Sequence, residues 1–521
     1  QEVIIMMTLL IIIYIGAALS LAIYALNSWV LTALYLKHRG DSPPRVETGA
    51  AINEDNLPAV TVQLPVFNET FVVERLIDAV VKLDYPADRL QIQVLDDSTD
   101  ASIDIALARV NHYQKQGVDI TLIHRRDRTG FKAGALKNGL NSAKGEFVAI
   151  FDADFIPNAD FLKETVPYLV ADPNLGFVQT RWGHVNRDYS RLTAAQSIAL
   201  DGHFVIEQTA RNRAGLFINF NGTEGVWRQA CIEDAGGWQG DTISEDFDLS
   251  YRAELKGWQC LYLPHVVAPA EIPPQLAAFK RQQFRWAKGS IQCLKKLGWR
   301  ILWSRLSLGV KLEALIHLSS YLLHPFMTIL AITTPIFVMT GASETIRFPL
   351  MYLSLLSLGP PVLFAVAQAS LYPTGWLRRY KAMGLLVFLG SGIALSNTKA
   401  VIEALLGTGN VFRRTPKFNV TSTADQWEDN VYRLPLDWMV VGELALSAYS
   451  LLGAWMAASR GYQFAVPFIL LYAVGFGYVG LQGIWDERFS WKGWLDGFIR
   501  QPSSHTKTAD QRKPVSVSVE Q

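Results

Sequence analysis

The sequence predicts a doubly wound α/β domain inserted in a helical transmembrane protein. Three observations carry that prediction. An apolar run from Val3 to Tyr35 opens the chain; from Gly40 to Arg305 short β-branched runs alternate with amphipathic stretches; after Leu308 long apolar runs return. Alternating strand and helix patterns fold into a mostly parallel sheet, whose ligands gather at the carboxyl ends of the strands. Half of the 521 residues are hydrophobic and the formal net charge is only +1. Such a chain needs a lipid bilayer as a partner, and 48 basic against 47 acidic residues leave no general excess for nucleic acid. Cys231, Cys260 and Cys293 form no CxxC pair, which speaks against a disulfide framework or a zinc site.

The first run is too long for a signal-peptide core, and Lys37, His38 and Arg39 close it. It reads as one anchor (residues 1–39) with its C-terminal end in the cytosol. Gln1 is not an initiator Met, so residues before it are expected. A cytosolic domain (40–305) follows. Its strands are expected at Val60 to Val66, Ile92 to Leu95, Ile120 to Ile123, Phe147 to Phe151, Phe177 to Thr180 and Leu261 to Leu263, with helices such as Phe71 to Leu83 and Ala101 to Gln114 between them. From residue 306 to 485 a membrane region has spans near Ile316 to Met339, Leu350 to Leu371, Leu436 to Ala457 and Phe464 to Gln482. The short apolar piece Ala382 to Leu395 reads as an interfacial or re-entrant helix running on through Leu406. With five crossings, Lys37/Arg39, Arg378/Arg379/Lys381, Arg413/Arg414/Lys417 and Lys492 all fall on one side, as the positive-inside rule requires. The tail, 486–521, is cytosolic, and Gln501 to Gln521 is polar and Ser-rich, hence disordered.

Six constellations offer chemistry. In Phe151-Asp152-Ala153-Asp154 a buried strand ends in two carboxylates one residue apart, which alternation turns to one side. Two hard oxygen ligands there suit Mg²⁺ or Mn²⁺ on a diphosphate, although an acidic turn has the same pattern. Leu95-Asp96-Asp97-Ser98 also runs from strand into carboxylates, as a ribose or base contact requires. Pro65-Val66-Phe67-Asn68-Glu69 offers an aromatic face and a carboxylate for a base, or simply a turn capped by Asn68. Lys132, in Gly130-Phe131-Lys132, starts a helix near phosphate height or is solvated there. Ile243-Ser244-Glu245-Asp246 opens a helix, with Ser244 as a cap and Asp246 as the general base for an acceptor hydroxyl; the helix dipole alone explains Glu245. On a helix from Leu276, residues Gln282, Arg285 and Trp286 share one face, offering an amide, a guanidinium and an indole. A snorkelling Arg and an anchoring Trp would look alike.

In this order the motifs resemble the processive family 2 glycosyltransferases: cellulose synthases, cellulose-synthase-like glucan and mannan synthases, and hyaluronan and chitin synthases. The resemblance spans Pro58 to Gly289 and is marked in Gln179-Thr180-Arg181-Trp182 and Phe220-Asn221-Gly222-Thr223-Glu224. It implies a nucleotide-sugar-binding domain of the glycosyltransferase A type. By that resemblance Asp97 holds the nucleoside, with Pro65, Phe67, Glu69 and Lys132 in the donor site. Asp152 and Asp154 hold the metal and sugar diphosphate, Asp246 is the base beside Glu245, and Gln282 and Arg285 clamp the pyrophosphate. Trp286 and Phe220, Asn221, Gly222 and Thr223 line the acceptor site. Phe418, Val420 and Thr421 are similar to a gating loop (about 408–433) that closes over the donor; Thr423 stands where that loop usually ends in lysine.

The resemblance implies processive, inverting transfer from a nucleotide sugar to a growing β-linked polysaccharide, which is moved across the plasma (inner) membrane through the chain's own helices. UDP-glucose is the first expectation and GDP-mannose the second. The tail after Asp486 is too short for the cyclic-dinucleotide-binding barrel of bacterial cellulose synthases, so no such regulation is expected within this chain. One-step glycosylation of a lipid is the alternative enzyme reading. A transporter or receptor that binds a nucleotide is the non-enzymatic one, and it has no use for Asp246. Accessory and homo-oligomeric partners stay open.

Overall fold

The computed structural model describes residues 2–41, 57–341, 355–409, 411–427 and 430–499. The tail from Gln501 and the first part of the expected span Leu350 to Leu371 lie outside these residues.

Among the described residues seven strands form one sheet: β1 (Val60–Val66), β2 (Leu90–Asp96), β3 (Ile120–His124), β4 (Phe147–Ile150), β5 (Leu175–His184), β6 (Gly225–Arg228) and β7 (Gln259–Ala270). Their order is β3-β2-β1-β4-β6-β5-β7, and only β6 runs against the rest. All six expected strands are present, and β6 is the one that the sequence pattern did not reveal. Each face of the sheet carries its own core. Val62, Leu64, Leu76, Val110 and Phe161 meet on one; Leu136, Val148, Trp227, Ile232 and Leu249 meet on the other. The helix Val73–Val80 shows why: Val73, Leu76, Ile77 and Val80, spaced three and four apart, are its buried residues.

Polar residues inside the central strands bond to one another across the sheet. Thr61 Oγ1 donates to Gln91 at 2.8 Å and Gln63 Nε2 to Gln93 at 3.0 Å, two rungs linking β1 to β2. Buried amides without such partners would cost about 1–3 kcal/mol each.

Among the described residues four helices are long and apolar enough to cross a membrane: Ile5–His38, Leu308–Thr340, Met439–Ser459 and Val466–Glu487. The expected span Leu350 to Leu371 is described only as the shorter apolar helix Gly359–Leu371. The short piece read as interfacial is a bent pair, Trp376–Gly392 and Ala394–Leu406, with 45° between its halves. Its second half packs along the helix Leu276–Leu302. There Lys288 Nζ reaches Glu403 at 2.8 Å and the carbonyls of Thr408 and Gly409 at 2.6 Å each, fastening the end of the bent pair to the α/β domain.

Candidate active site

Parallel strands deliver their carboxyl ends to one edge, so Phe67 to Glu69, Asp97, Arg125 to Arg128 and Asp152 to Asp154 arrive together. Antiparallel β6 brings its amino end to the same edge, because Gly225 pairs with Ile150. Asn221 to Glu224, which precede it, therefore stand beside the carboxylates of β4.

Asp97 is buried and receives two hydrogen bonds from Arg125, from Nε at 2.8 Å and from a terminal nitrogen at 2.6 Å. Arg128 lies 3.2 Å above the centre of the Phe67 ring, on the aromatic face expected for a base. Pro65 closes β1 next to it, half-buried. Asn68 is no helix cap: its amide accepts from Thr99 N at 2.8 Å and its own N–H donates to Ser98 at 2.8 Å, clipping β1 to the turn after β2.

Lys132 Nζ donates to Asp152 at 2.5 Å and to the Gly222 carbonyl at 2.7 Å, and lies 3.9 Å from Glu245. Burial works against its charge, but Asp152, Glu245 and Asp246 outweigh burial and raise its pKa. The Asp152 backbone N–H donates to Thr223 Oγ1 at 2.9 Å, so Thr223 fixes the backbone just past β4. Glu224 is fully buried without a hydrogen-bond partner for its carboxylate, and burial first, then Asp154, raises its pKa well above the ordinary glutamate value.

The base candidate lies just past Gly222. At φ +82°, a conformation that suits glycine, a Cβ there would stand 2.8 Å from Asp246 Oδ2. Burial raises the pKa of Asp246, and Lys132 and Arg285 oppose it; burial and then Asp246 push Glu245 up to about 7. Ser244 differs from its expected role. Its hydroxyl caps nothing and faces Gly289 instead, where a Cβ would come within 1.9 Å of Ser244 Oγ and 2.7 Å of its Cβ. Close packing of Leu276–Leu302 against this loop sets where Asp246 stands. Gly289→Ala is therefore expected to destabilise the fold by about 1–3 kcal/mol and to lower turnover more than donor affinity, as melting and kinetics would show.

On that helix Gln282 is buried, Arg285 lies 5.0 Å from the Phe412 ring centre, and Trp286 stands 6.5 Å from Trp182. Phe220 does not line a path: it is fully buried between Phe177, at 5.9 Å, and Trp227, at 5.3 Å. An aromatic at that point is needed by the core more than by a ligand. Asn221 beside it is partly exposed, bonded to Gln208 at 2.7 Å and His203 at 3.1 Å.

The segment with Phe418, Val420 and Thr421 is docked over these groups. Glu271 accepts from Phe418 N and Asn419 N at 2.9 Å each, Phe418 and Val420 pack with Trp427, and Thr421 N donates to Asp425 at 2.8 Å. Phe412 stacks on Phe131 at 5.7 Å, Arg414 meets Glu69 at 3.0 Å, and Lys417 donates to Asp154 at 2.5 Å. Burial pushes Glu69 up to about 8, against the pull of Arg414 and Lys417. The cations Arg125, Arg128, Arg414 and Lys417 had not been assigned from sequence. The run His124-Arg125-Arg126-Asp127-Arg128 after a strand was the available signal.

Asp152 and Asp154 each hold a lysine, and among the described residues no three His, Cys, Asp or Glu groups cluster as a complete metal site. Two hard carboxylates fit a divalent cation whose other ligands are diphosphate oxygens.

Residues 58–289 match the family described as glycosyltransferase like family 2. Glucomannan 4-beta-mannosyltransferase 7 of Arabidopsis thaliana is 35% identical over 400 residues, 73% of this chain and 69% of that protein. The chain belongs to glycosyltransferase family 2. Glucomannan 4-beta-mannosyltransferase 1 of Oryza sativa subsp. japonica is 43% identical over 261 residues, 49% of each protein. For several such relatives the chain spans about half of their length. A solved structure, the mannosyltransferase PcManGT from Pyrobaculum calidifontis in complex with GDP-Man and Mn²⁺, aligns with a TM-score of 0.49 at 22% identity, over 70% of this chain and 99% of that one.

Proposed function

We propose that this family 2 glycosyltransferase adds sugars one after another to a β-linked polysaccharide at the cytosolic membrane surface, with GDP-mannose as donor ahead of UDP-glucose. The reading is carried by the junction at the sheet edge: Lys132 joins Asp152 to Gly222, whose α-carbon faces Asp246, while Lys417 joins Asp154 to the segment above. The curated relatives reported above carry the name mannosyltransferase, which supports putting mannose first.

In this reading Asp97 and Phe67 receive the nucleoside, with Arg125 and Arg128 giving way or stacking. Asp152 and Asp154 would hold Mg²⁺ or Mn²⁺, which would supply positive charge to the diphosphate. Gln282, Arg285 and Lys132 face the leaving diphosphate with fixed donors. Asp246 accepts the proton of the acceptor hydroxyl as its oxygen bonds to the anomeric carbon. The bond from that carbon to the diphosphate breaks on the opposite face, so an α-linked donor yields a β-linkage. Trp286 and Trp182 offer aromatic faces to the acceptor sugar, Asn221 its amide, and the helices after Leu308 the route across the bilayer. The segment Phe418 to Thr421 closes over the donor.

Purified protein given Mn²⁺ or Mg²⁺ and radiolabelled GDP-mannose is expected to make an insoluble product that β-mannanase digests. UDP-glucose alone serving as donor, with a β-glucanase-sensitive product, would reverse the donor order. A lipid-extractable monoglycoside as the sole product would overturn the polymer reading.

A further inference from the structure

The helix Arg191–Asp201 widens into a single π turn, Gly202–Glu207, before the α form resumes at Gln208. Such turns re-aim side chains and are frequent at functional sites. Here the turn divides its residues. Val205 and Ile206 pack on Leu31, Tyr35, Leu363 and Ala367 of two membrane-side helices, and Asp201 is held by His184 at 2.9 Å and by Gln368 at 2.7 Å. His203 and Glu207 stay out of that core, with 26% and 33% of their side chains open.

A chain of hydrogen bonds fixes how these two residues are used. Gln208 Nε2 donates to the Asn219 carbonyl at 2.9 Å and to Asn221 Oδ1 at 2.7 Å, so Asn221 Nδ2 is the donor to His203 Nε2 at 3.1 Å. The imidazole therefore carries its proton on Nδ1 and donates it to Glu207 Oε2 at 2.9 Å. The other oxygen of Glu207 has no partner among the described residues. Arg211, one turn on, is matched by Glu313 at 3.4 Å. Burial works to raise the pKa of Glu207, but the hydrogen bond and charge of His203, then Arg211, outweigh it and lower it, which leaves an ionised acceptor.

The surroundings say what could donate to it. Phe204 lies 5.0 Å from Trp182, which stands 6.5 Å from Trp286. The Glu207 charge reaches Tyr321, whose hydroxyl donates to Gln283 at 3.2 Å, three residues before Trp286 on the same helix face. A carboxylate oxygen lacking a donor, close to aromatic faces, suits a sugar ring, whose hydroxyls donate and whose C–H face stacks. A metal ion suits it less: the imidazole nitrogens are both committed, and among the described residues no three His, Cys, Asp or Glu groups cluster. We infer that Glu207 accepts hydrogen bonds from the acceptor saccharide, on the ring behind the one that stacks on Trp286, with His203 as the positioning residue that aims the carboxylate. The inference rests on the reading that this chain extends a saccharide.

The test titrates the full chain, in nanodiscs of phosphatidylcholine, with a β-linked manno-hexaose in the absence of donor and follows tryptophan fluorescence. Transfer to the same oligosaccharide from radiolabelled GDP-mannose is measured in parallel. Glu207→Gln keeps the shape but removes the charge. It is expected to weaken oligosaccharide binding about tenfold and to raise the acceptor KM by a similar factor, with nucleoside diphosphate affinity kept within about twofold. His203→Leu leaves Glu207 charged but unaimed and should weaken oligosaccharide binding about fivefold, whereas His203→Asn, which retains a donor for Glu207, should restore most of it. That rescue, at equal melting temperatures, separates aiming from folding. Unchanged oligosaccharide affinity in Glu207→Gln, equal loss of oligosaccharide and nucleoside diphosphate binding, or no oligosaccharide binding by the natural protein would overturn the proposal. An oligosaccharide that binds through Glu207 yet is never extended would uphold it while the polymer reading fails.

Discussion

Asp246→Asn is expected to lower sugar transfer about 10³-fold while leaving donor binding within a few-fold of the natural protein. The amide keeps the shape of the carboxylate and its contact with Phe247 N, at 2.8 Å in this structure, but cannot take a proton. Positioned general bases contribute about 10²–10⁴-fold, which sets the expected size. Isothermal titration with the nucleoside diphosphate and Mn²⁺, beside radiolabel incorporation, separates the two quantities. Loss of donor binding in parallel with transfer would mean that Asp246 shapes the pocket instead of acting on the acceptor.

The pH dependence has a definite sign. Burial raises the pKa of Asp246 and pushes Glu245 up to about 7, and only the ionised form of Asp246 can accept a proton. Transfer should therefore rise with pH through a limb displaced above the ordinary carboxylate range, and Asp246→Asn should remove that limb from kcat/KM. An unchanged limb at the variant's residual rate would assign it to another group.

What the sequence could reveal and what it could not divide along a physical line. Strands such as Val60 to Val66 and Phe147 to Ile150 announce themselves through local composition, and their carboxyl ends carry Asp97, Asp152 and Asp154 because a parallel sheet puts them there. The four residues Gly225 to Arg228 are too few to show a period, and their reversal is a pairing choice made by neighbours far along the chain. Contacts made by folding were equally hidden. Lys417 reaches Asp154 across 263 positions, and Ser244 faces Gly289 where its local pattern suggested a cap. The burial of Phe220 was hidden as well, since an aromatic in a motif reads alike whether a core or a ligand needs it.

Asp154→Asn is expected to weaken metal-dependent donor binding about 10²-fold or more, because even residues one step removed from a metal cost about 10–100-fold when lost. The structure adds a competitor to that argument. Lys417 donates to Asp154 and Lys132 to Asp152, each at 2.5 Å, so a cation bound by these carboxylates would compete with the two lysines. An arriving diphosphate changes the balance, because it gives Lys417 a new anion while the cation takes Asp154. Lys417 can then serve the phosphate contact for which Thr423 has no charge. Lys417→Met should tighten Mn²⁺ binding in the absence of donor, followed by the loss of the free-ion paramagnetic signal, yet weaken donor binding in the presence of Mn²⁺. Opposite signs in one variant are hard to obtain from a merely structural change. If both affinities fall together, Lys417 only props the loop, and the two carboxylates alone set the affinity for the cation.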